Sequence, residues 1–238
     1  MKLNELFKNT NYDDTLFSDE SKTAIENAIV TRKIKEKDAP YIKCLAREKE
    51  IKLTPEEAVR QLYLHKLIHE YNYPTSRIEV EFPIHFGREV KRADIAIMDK
   101  DRPMVPYIIV ELKKPKLSDG KEQLKSYCNA TGAPIGVWTN GEQISYYNRK
   151  DPNYFEPITN IPTVSEKLSD IINEKFTYED LRKIDRISQQ KRSLRSLIQE
   201  MEDEVLASAG VDSFEEIFKL ILQSSMMSLY VNATRVHI

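Results

Sequence analysis

The first strong element in the hydrophobic pattern is a helix that follows residue 53. Apolar side chains recur at helical spacing over residues 59–68. The preceding Thr-Pro-Glu-Glu run at 54–57 is typical of a helix start, with Thr54 as the N-cap and Glu57 as the reciprocal acid of a capping box. Pro74 disfavours helix in the residue before it, so this helix is predicted to end near residue 72. A shorter helix is predicted to begin at Ser18.

After residue 74 the pattern changes to the two-residue period of β-strands. The third of the predicted strands is mostly apolar, which is typical of a central strand. Asn140-Gly141 indicates a hairpin turn between the last two. Together with the first helix, these elements predict an α/β layer architecture with a mixed central sheet flanked by helices. The predicted strands are 78–84, 93–98, 107–113, 135–139 and 143–147, with a helix over 118–131.

The composition changes after residue 147, where Asp, Pro and Asn become frequent. We place a domain boundary in residues 151–157 or near Pro162. Residues 1–160 are therefore predicted to form one domain with a helical lead-in, and residues 161–238 a helical extension. Helical apolar spacing in residues 186–209, and a second helical stretch after them, underlie the latter prediction.

Composition excludes several classes of protein. The two cysteines, Cys44 and Cys128, have no CxxC spacing, so they indicate neither a zinc site nor a disulfide framework. No stretch approaches the ~18 apolar residues that a membrane span needs, and the N-terminus has no apolar signal core. We expect a cytoplasmic protein that does not enter a membrane.

The net charge of −2 does not indicate a nucleic-acid-binding protein, but the charge is unevenly distributed. Residues 86–125 carry ten Lys and Arg against seven acids, a local excess of +3. Such a patch can hold a phosphate backbone. An ordinary solvated face is an equally good explanation of the charges alone.

Three ionisable residues fall near the ends of neighbouring predicted strands. In Glu111-Leu112-Lys113 the strand period puts Glu111 and Lys113 on one face, ~6.5–7 Å apart along the strand, and Leu112 on the other. Asp94 lies on the preceding strand, and a hairpin turn near residue 101 brings it towards Glu111. Two carboxylates at a sheet end suit Mg²⁺, and a nearby lysine can orient a water or stabilise developing negative charge.

Glu-Leu-Lys on a strand is also common by chance, as an exposed ion pair. The surroundings of Asp94 favour a functional interpretation, because an unpaired acid among Ile and Ala side chains is costly to bury. Such an acid requires a metal ion or a cation.

The runs Arg-Ala-Asp-Ile-Ala-Ile at 92–97 and Ile-Val-Glu-Leu-Lys-Lys-Pro at 109–115 resemble the PD-(D/E)xK nuclease superfamily. More closely, they resemble the N-terminal nuclease domain of type I restriction enzyme R subunits. Gln123 and Tyr127 match the QxxxY motif that follows the ExK strand in that family and in RecB-like nucleases. The sequence departs from the pattern where Asp94 follows Ala instead of Pro.

The resemblance implies a restriction-endonuclease-like core and a DNA endonuclease that uses Mg²⁺ or Mn²⁺. It implies that Asp94 and Glu111 hold the metal and that Lys113 acts with them in catalysis. It also implies that four further residues lie close to the motif or the DNA: Arg92, Lys114, Gln123 and Tyr127.

The sequence leaves the roles of several residues open. The resemblance makes Glu57, or Glu56, an additional metal ligand, whereas the capping box explains Glu57 without metal. Arg60 either faces phosphate or pairs with Glu56. His65 and His69 lie four apart on a helix but lack the glutamate of an HExxH motif, so helix surface is the better interpretation.

The sequence has no GxxxxGK[ST] motif, so we expect that this chain does not bind ATP. The resemblance implies partners: methyltransferase and specificity subunits, or a downstream motor or methyltransferase domain. Residues 209–220 are similar to the helical segment before N6-adenine methyltransferase domains, which suggests a nuclease module of a larger enzyme. Two alternatives remain, a non-catalytic DNA-docking or assembly module and a RecB-like repair nuclease.

Overall fold

A computed structural model describes residues 2–8, 10, 14–34, 37–113, 120–152, 154–174 and 177. The chain divides into two compact units, Met1–Asp185 and Arg186–Ile238. The helices predicted after residue 185 lie outside the described residues, and so does Lys114, which the resemblance predicts to lie near the DNA. The helical extension therefore stays a prediction.

The N-terminal part contains two helices and a small antiparallel sheet. Helix α1 spans Leu3–Phe7, and α2 spans Asp19–Ala28. Ser18 caps α2, as its sequence predicts, by accepting a hydrogen bond from the backbone of Ser21. The sequence did not predict the sheet, because the side chains of its first strand are all exposed and show no apolar alternation. Its strands are β1 (Val30–Ile34), β2 (Lys37–Lys43) and β3 (Glu50–Lys52), in that order.

Helix α3 spans Pro55–His69 and is buried along most of its length. The Thr54 hydroxyl accepts a hydrogen bond from the Glu57 backbone at 3.2 Å, so the predicted N-cap is confirmed. The reciprocal half of the predicted capping box is wrong. The Glu57 carboxylate accepts hydrogen bonds from the side chains of Arg60 and Gln61 instead. A buried carboxylate is better stabilised by a guanidinium than by a neutral backbone N–H, because charge-assisted hydrogen bonds are stronger.

The main sheet has six strands and confirms the predicted mixed α/β architecture. Neighbouring strands are antiparallel except for the parallel pair β6 and β7, which α4 connects. The sheet order follows the chain. The elements are β4 (Ile78–Phe86), β5 (Glu89–Met98), β6 (Pro106–Leu112), α4 (Gly120–Thr131), β7 (Ile135–Thr139), β8 (Ile144–Asp151), β9 (Tyr154–Ile158) and α5 (Leu168–Ile172).

Strand β9 lies in the segment whose composition suggested a domain boundary. It pairs with β8 and extends the sheet to Ile158. The described chain then stays in contact with the same unit, since the Tyr73 hydroxyl donates to the Pro162 carbonyl at 2.7 Å and Ile161 and Ile171 are buried in the core. The boundary at residue 160 stays a prediction.

Alternate residues of the central strands contribute to two apolar clusters. The first contains Ile95, Ile97, Val110 and Leu112 together with residues of α3. The second contains Ala96, Met98 and Ile109 together with Leu124, Tyr127 and Cys128 of α4. Because strand side chains alternate between faces, a residue of β6 in phase with Ile109 lies on the α4 side of the sheet.

None of the helices in the described part of the chain combines the length and the apolar character needed to cross a membrane.

Candidate functional site

Two carboxylates meet where β5 and β6 pair. Ile95 lies opposite Val110 in this antiparallel register, and one further step places Asp94 opposite Glu111. Glu111 is in phase with Ile109 of the second apolar cluster and contacts Gln123, so its side chain lies on the α4 side of the sheet. Asp94 contacts Arg60 of α3 through its Oδ1 atom. The Asp94 Oδ2 atom accepts a hydrogen bond from the Leu112 backbone at 2.7 Å. The structure thus brings the two acids together in the way that the sequence predicted.

Glu111 is a charged group in a largely apolar position, with 2% of its surface exposed. Its Oε1 atom accepts hydrogen bonds from Lys113 Nζ at 2.7 Å and Gln123 Nε2 at 2.8 Å. Its Oε2 atom is buried without a hydrogen-bond partner among the described residues. Burial, and then the charge of Asp94, raise the pKa of Glu111 to about 7 in spite of the hydrogen bond from Lys113. An unsatisfied buried carboxylate oxygen is costly, and a ligand removes that cost.

Lys113 follows the last residue of β6 and is held at both ends. Its backbone N–H donates to the Thr139 carbonyl on β7 at 3.0 Å, and its ammonium contacts Glu111. Burial alone lowers the pKa of Lys113, but the hydrogen bond and charge of Glu111 and the charge of Asp94 raise it overall. Lys113 therefore acts in this site as a cation.

Gln123 and Tyr127, which the sequence placed on one face of a helix, both join the network. The Gln123 side-chain nitrogen donates to Glu111 and lies 2.6 Å from the Tyr127 hydroxyl. Burial raises the pKa of Tyr127, so its hydroxyl stays protonated. Helix α4 therefore helps to fix the position of the Glu111 carboxylate through Gln123.

Arg60 is the residue of the site whose role the sequence left open. Its Nη2 atom lies 2.6 Å from Asp94 Oδ1, 3.0 Å from Glu81 Oε1 and 3.5 Å from Glu56 Oε1. Its Nη1 atom donates to Glu57. The sequence contained one signal for this role. Arg60 is a charged residue within a mostly apolar stretch of α3, and the structure shows that this stretch is buried. That pattern requires a buried anion but does not say which one.

The remaining predicted residues lie at the margin of the site. The Glu57 carboxylate is engaged by Arg60 and Gln61 and does not contact Glu111. Arg92 is exposed on β5, two residues before Asp94, and donates to the Glu81 carbonyl at 3.0 Å. His65 Nδ1 lies 3.0 Å from the Ser21 hydroxyl.

Asp94 and Glu111 fit a hard divalent cation that keeps part of its water shell. Within the described residues, no group of three or more His, Cys, Asp or Glu side chains is placed to hold a metal ion. Mg²⁺ is commonly bound by only one or two carboxylates together with waters and substrate phosphates. The free Oε2 atom of Glu111 is the observation that fits such an ion.

A cleft of about 540 Å³ adjoins the network at Gln123 and Tyr127. It is lined by Phe86, Lys91, Gln123, Ser126 and Tyr127. Gln123 and Tyr127 thus have one side towards Glu111 and another towards the cleft. A ligand in the cleft lies one side chain away from the candidate metal ligands.

Comparison with known proteins gave one family and two solved structures. The family is described as the type I restriction enzyme R protein N terminus, and it matches residues 55–162. The type IIG restriction endonuclease BpuSI is 23% identical, with a TM-score of 0.33, over 48% of this chain and 14% of its own chain. A DUF820 protein from Anabaena variabilis ATCC 29413 is 15% identical, with a TM-score of 0.34, over 57% of this chain and 87% of its own.

This chain therefore spans only a small part of the length of BpuSI. The search of curated proteins gave no match. The matched range begins with α3 and ends after β9, so it contains Asp94, Glu111, Lys113, Gln123 and Tyr127. Residues 55–162 thus match the N-terminal family of type I restriction enzyme R proteins, which is the family that the sequence motifs resemble.

Proposed function

We propose that this chain is the nuclease part of a restriction enzyme and that it hydrolyses DNA phosphodiester bonds with Mg²⁺ or Mn²⁺. The observation that carries the proposal is the buried Glu111 carboxylate, which keeps one oxygen without a partner among the described residues and lies beside Asp94 and Lys113. The family match over residues 55–162 supports it.

Each residue has a separate role in this proposal. Asp94 and Glu111 hold the divalent ion, which when bound supplies a more acidic water and positive charge at the phosphate. Lys113 orients the attacking water or stabilises the negative charge that develops on the phosphate. Gln123 keeps Glu111 in place through its hydrogen bond, and Tyr127 in turn positions Gln123.

The hairpin of β4 and β5 is the proposed contact to the DNA backbone. Arg88, Lys91 and Arg92 are exposed on it, and the same strand continues directly to Asp94. Positive side chains that neutralise phosphates supply sequence-independent affinity. The cleft beside Gln123 extends this proposed surface. Lys114, outside the described residues, is a further proposed DNA contact.

The partners in this proposal are those of a restriction–modification system. They are methyltransferase and specificity subunits, or a motor or methyltransferase domain downstream in the same protein. A specificity subunit, where present, reads the DNA sequence. ATP is bound by such a motor and not by this chain, whose sequence lacks the phosphate-binding motif.

The first experiment measures metal binding and DNA cleavage together. We expect the wild type to bind Mn²⁺ in a calorimetric titration and to nick supercoiled plasmid. Asp94→Ala and Glu111→Ala lose both properties, because each removes a proposed ligand. Asp101→Ala is the matched control, since Asp101 is an exposed acid in the β5–β6 turn, and it keeps both.

Metal binding without nicking would support the site while assigning activation to the missing partners. A wild type that binds no metal, with or without DNA, would contradict the nuclease proposal. It would favour the non-catalytic DNA-docking module, for which the neutralisation of Asp94 by Arg60 is the supporting observation. Cleavage confined to linear DNA ends would favour a RecB-like repair nuclease.

A further inference from the structure

The guanidinium of Arg60 lies inside a cluster of four carboxylates. Its Nη2 atom is within 3.5 Å of oxygens of Asp94, Glu81 and Glu56, and its Nη1 atom donates to Glu57. Arg60 is 6% exposed, and its Nε atom has no hydrogen-bond partner in the described part of the chain. The buried guanidinium of Arg60 therefore forms ion pairs with carboxylates from α3, β4 and β5.

The backbone at Glu81 shows that this arrangement is maintained against local strain. Glu81 lies inside β4 with a φ of 59°, a left-handed conformation that a residue with a side chain rarely adopts within a strand. Its carboxylate contacts Arg60 at 3.0 Å. Such a conformation persists only where surrounding interactions hold it, and the ion pair with Arg60 is one of them.

The two carboxylate oxygens of Asp94 have different partners. Its Oδ1 atom contacts Arg60, and its Oδ2 atom accepts from the Leu112 backbone beside Glu111. Glu111, the residue before Leu112, has a carboxylate oxygen without a hydrogen-bond partner among the described residues. Asp94 thus lies between two positions. The Arg60 guanidinium already fills the position beside Oδ1, and the position beside Oδ2 and Glu111 fits a divalent ion.

We propose that Arg60 is a built-in counterion that occupies the place of a second divalent cation, so that the centre takes a single metal ion. The single ion between Asp94 and Glu111 rests on the proposed function, whereas the occupancy of the other side by Arg60 does not. A guanidinium has five N–H donors in a fixed plane, so it can satisfy several carboxylates that would otherwise need a divalent ion. Arg60 is in this sense a positioning residue for Asp94.

The test is the number of Mn²⁺ ions bound per chain, counted by electron paramagnetic resonance in mildly alkaline buffer. We expect the wild type to bind one ion and Arg60→Met to bind two. Arg60→Met/Glu81→Gln returns to one, because Glu81 would be a ligand of the second ion. Lys66→Met is the matched control on the same helix, where the exposed pair with Glu70 is lost, and it binds one ion like the wild type.

Thermal unfolding supplies a second measurement. In EDTA we expect Arg60→Met to unfold at a lower temperature than the wild type, and Mn²⁺ to raise its unfolding temperature by more than it raises that of the wild type. If the variant folds only when Mn²⁺ is present, the proposal is supported. If it folds neither with nor without Mn²⁺, or folds and binds no more ions than the wild type, the proposal is overturned.

The Glu111→Gln background separates this inference from the proposed function. There the ion between Asp94 and residue 111 is lost, and we expect Arg60→Met/Glu111→Gln to bind one ion where Glu111→Gln alone binds none. A wild type without metal would contradict the proposed function, but the ion gained on removing Arg60 would still support the role of Arg60.

Discussion

Glu111 shows how burial and charge act on one carboxylate. Its pKa is raised to about 7, first by burial and then by the charge of Asp94. At neutral pH a substantial fraction of the metal-free protein therefore carries a proton on this group. Any cation that binds there must displace that proton.

Glu111 should make the metal-free protein less stable as the pH rises. Its pKa in the folded protein, about 7, lies above the ordinary value of 4.5. The stabilising contribution of Glu111 to the free energy of unfolding is therefore fully present below pH 4.5 and is lost as the pH rises through 7. Because Glu111→Gln cannot ionise, the difference in unfolding free energy, wild type minus variant, should fall across this window by on the order of 3 kcal/mol. Urea unfolding in EDTA over a pH series measures this difference; a constant difference would contradict the expectation.

Gly120 is the point at which α4 approaches Lys113. A Cβ atom at this position would lie against Lys113 Cγ and 2.7 Å from Trp138 Nε1. Trp138 is buried within the second apolar cluster. A Cβ atom at position 120 therefore displaces the Lys113 side chain rather than Trp138.

We expect Gly120→Ala to displace Lys113 while Asp94 and Glu111 stay in place. Plasmid nicking should then fall at least tenfold, and Mn²⁺ binding by calorimetry should change little. Asp101→Ala, which changes an exposed side chain in the β5–β6 turn, is the control. Equal loss of metal binding and nicking in Gly120→Ala would show that the helix itself had shifted.

The residues of the site differ in how far the sequence could predict them. Asp94, Glu111 and Lys113 were placed because a two-residue period fixes which side chains share a face of a strand. Gln123 and Tyr127 followed from helical spacing. The partners of Arg60 could not be predicted, since Glu57, Glu81 and Asp94 come from three elements that meet only in the folded protein.

Elements with a clear apolar period were predicted, and those without one were not. Strands β4 to β8 and helices α2 to α4 show alternating, continuous or helically spaced apolar residues in the sequence, and β7 is buried at all five of its positions. Strand β1 has five exposed side chains, so it shows no such period. Strand β9 follows Asp151 and Pro152, whose turn-forming character suggested a loop, although its backbone pairs with β8.

The β4–β5 hairpin should contribute affinity for DNA without sequence preference. Removing one phosphate contact is expected to lower the slope of log affinity against log salt concentration by about 1. We expect this lower slope for Arg88→Ala and for Lys91→Ala. Fluorescence anisotropy titrations with duplex DNA at several salt concentrations measure it.

Lys150→Ala is the control for the hairpin. Lys150 is an exposed lysine on β8, three strands away from β5 in the sheet, and it pairs with Glu156. An equal change in slope for all three variants would indicate general attraction to the protein rather than a contact through the hairpin.

At the scale of the whole molecule, the described core extends past the boundary that composition suggested. Val164 donates its backbone N–H to the Tyr71 carbonyl at 3.0 Å, and the side chain of Ile171 is 5% exposed. Composition could not reveal these contacts. The segment after residue 160 is mostly polar, and only a few apolar residues in it, such as Ile161 and Ile171, pack into the core.

A chain that ends at residue 160 should be less stable than one that ends at residue 185. The shorter chain loses the burial of Ile161 and Ile171, which at about 1.5–3 kcal/mol for each side chain amounts to roughly 3–6 kcal/mol as an upper estimate. Urea denaturation of the two chains measures the difference. Equal unfolding midpoints would support the boundary at residue 160.

The protein has a single tryptophan, and its position makes it an intrinsic optical probe. Trp138 pairs with Glu111 across the parallel strands β6 and β7, and the Lys121 ammonium lies 4.9 Å from its ring. Indole emission responds to nearby charge, so a cation or phosphate that enters beside Glu111 alters the fluorescence without any label. Stopped-flow traces of the native chain can therefore follow occupancy of this site in real time, even in a protein that does not turn over.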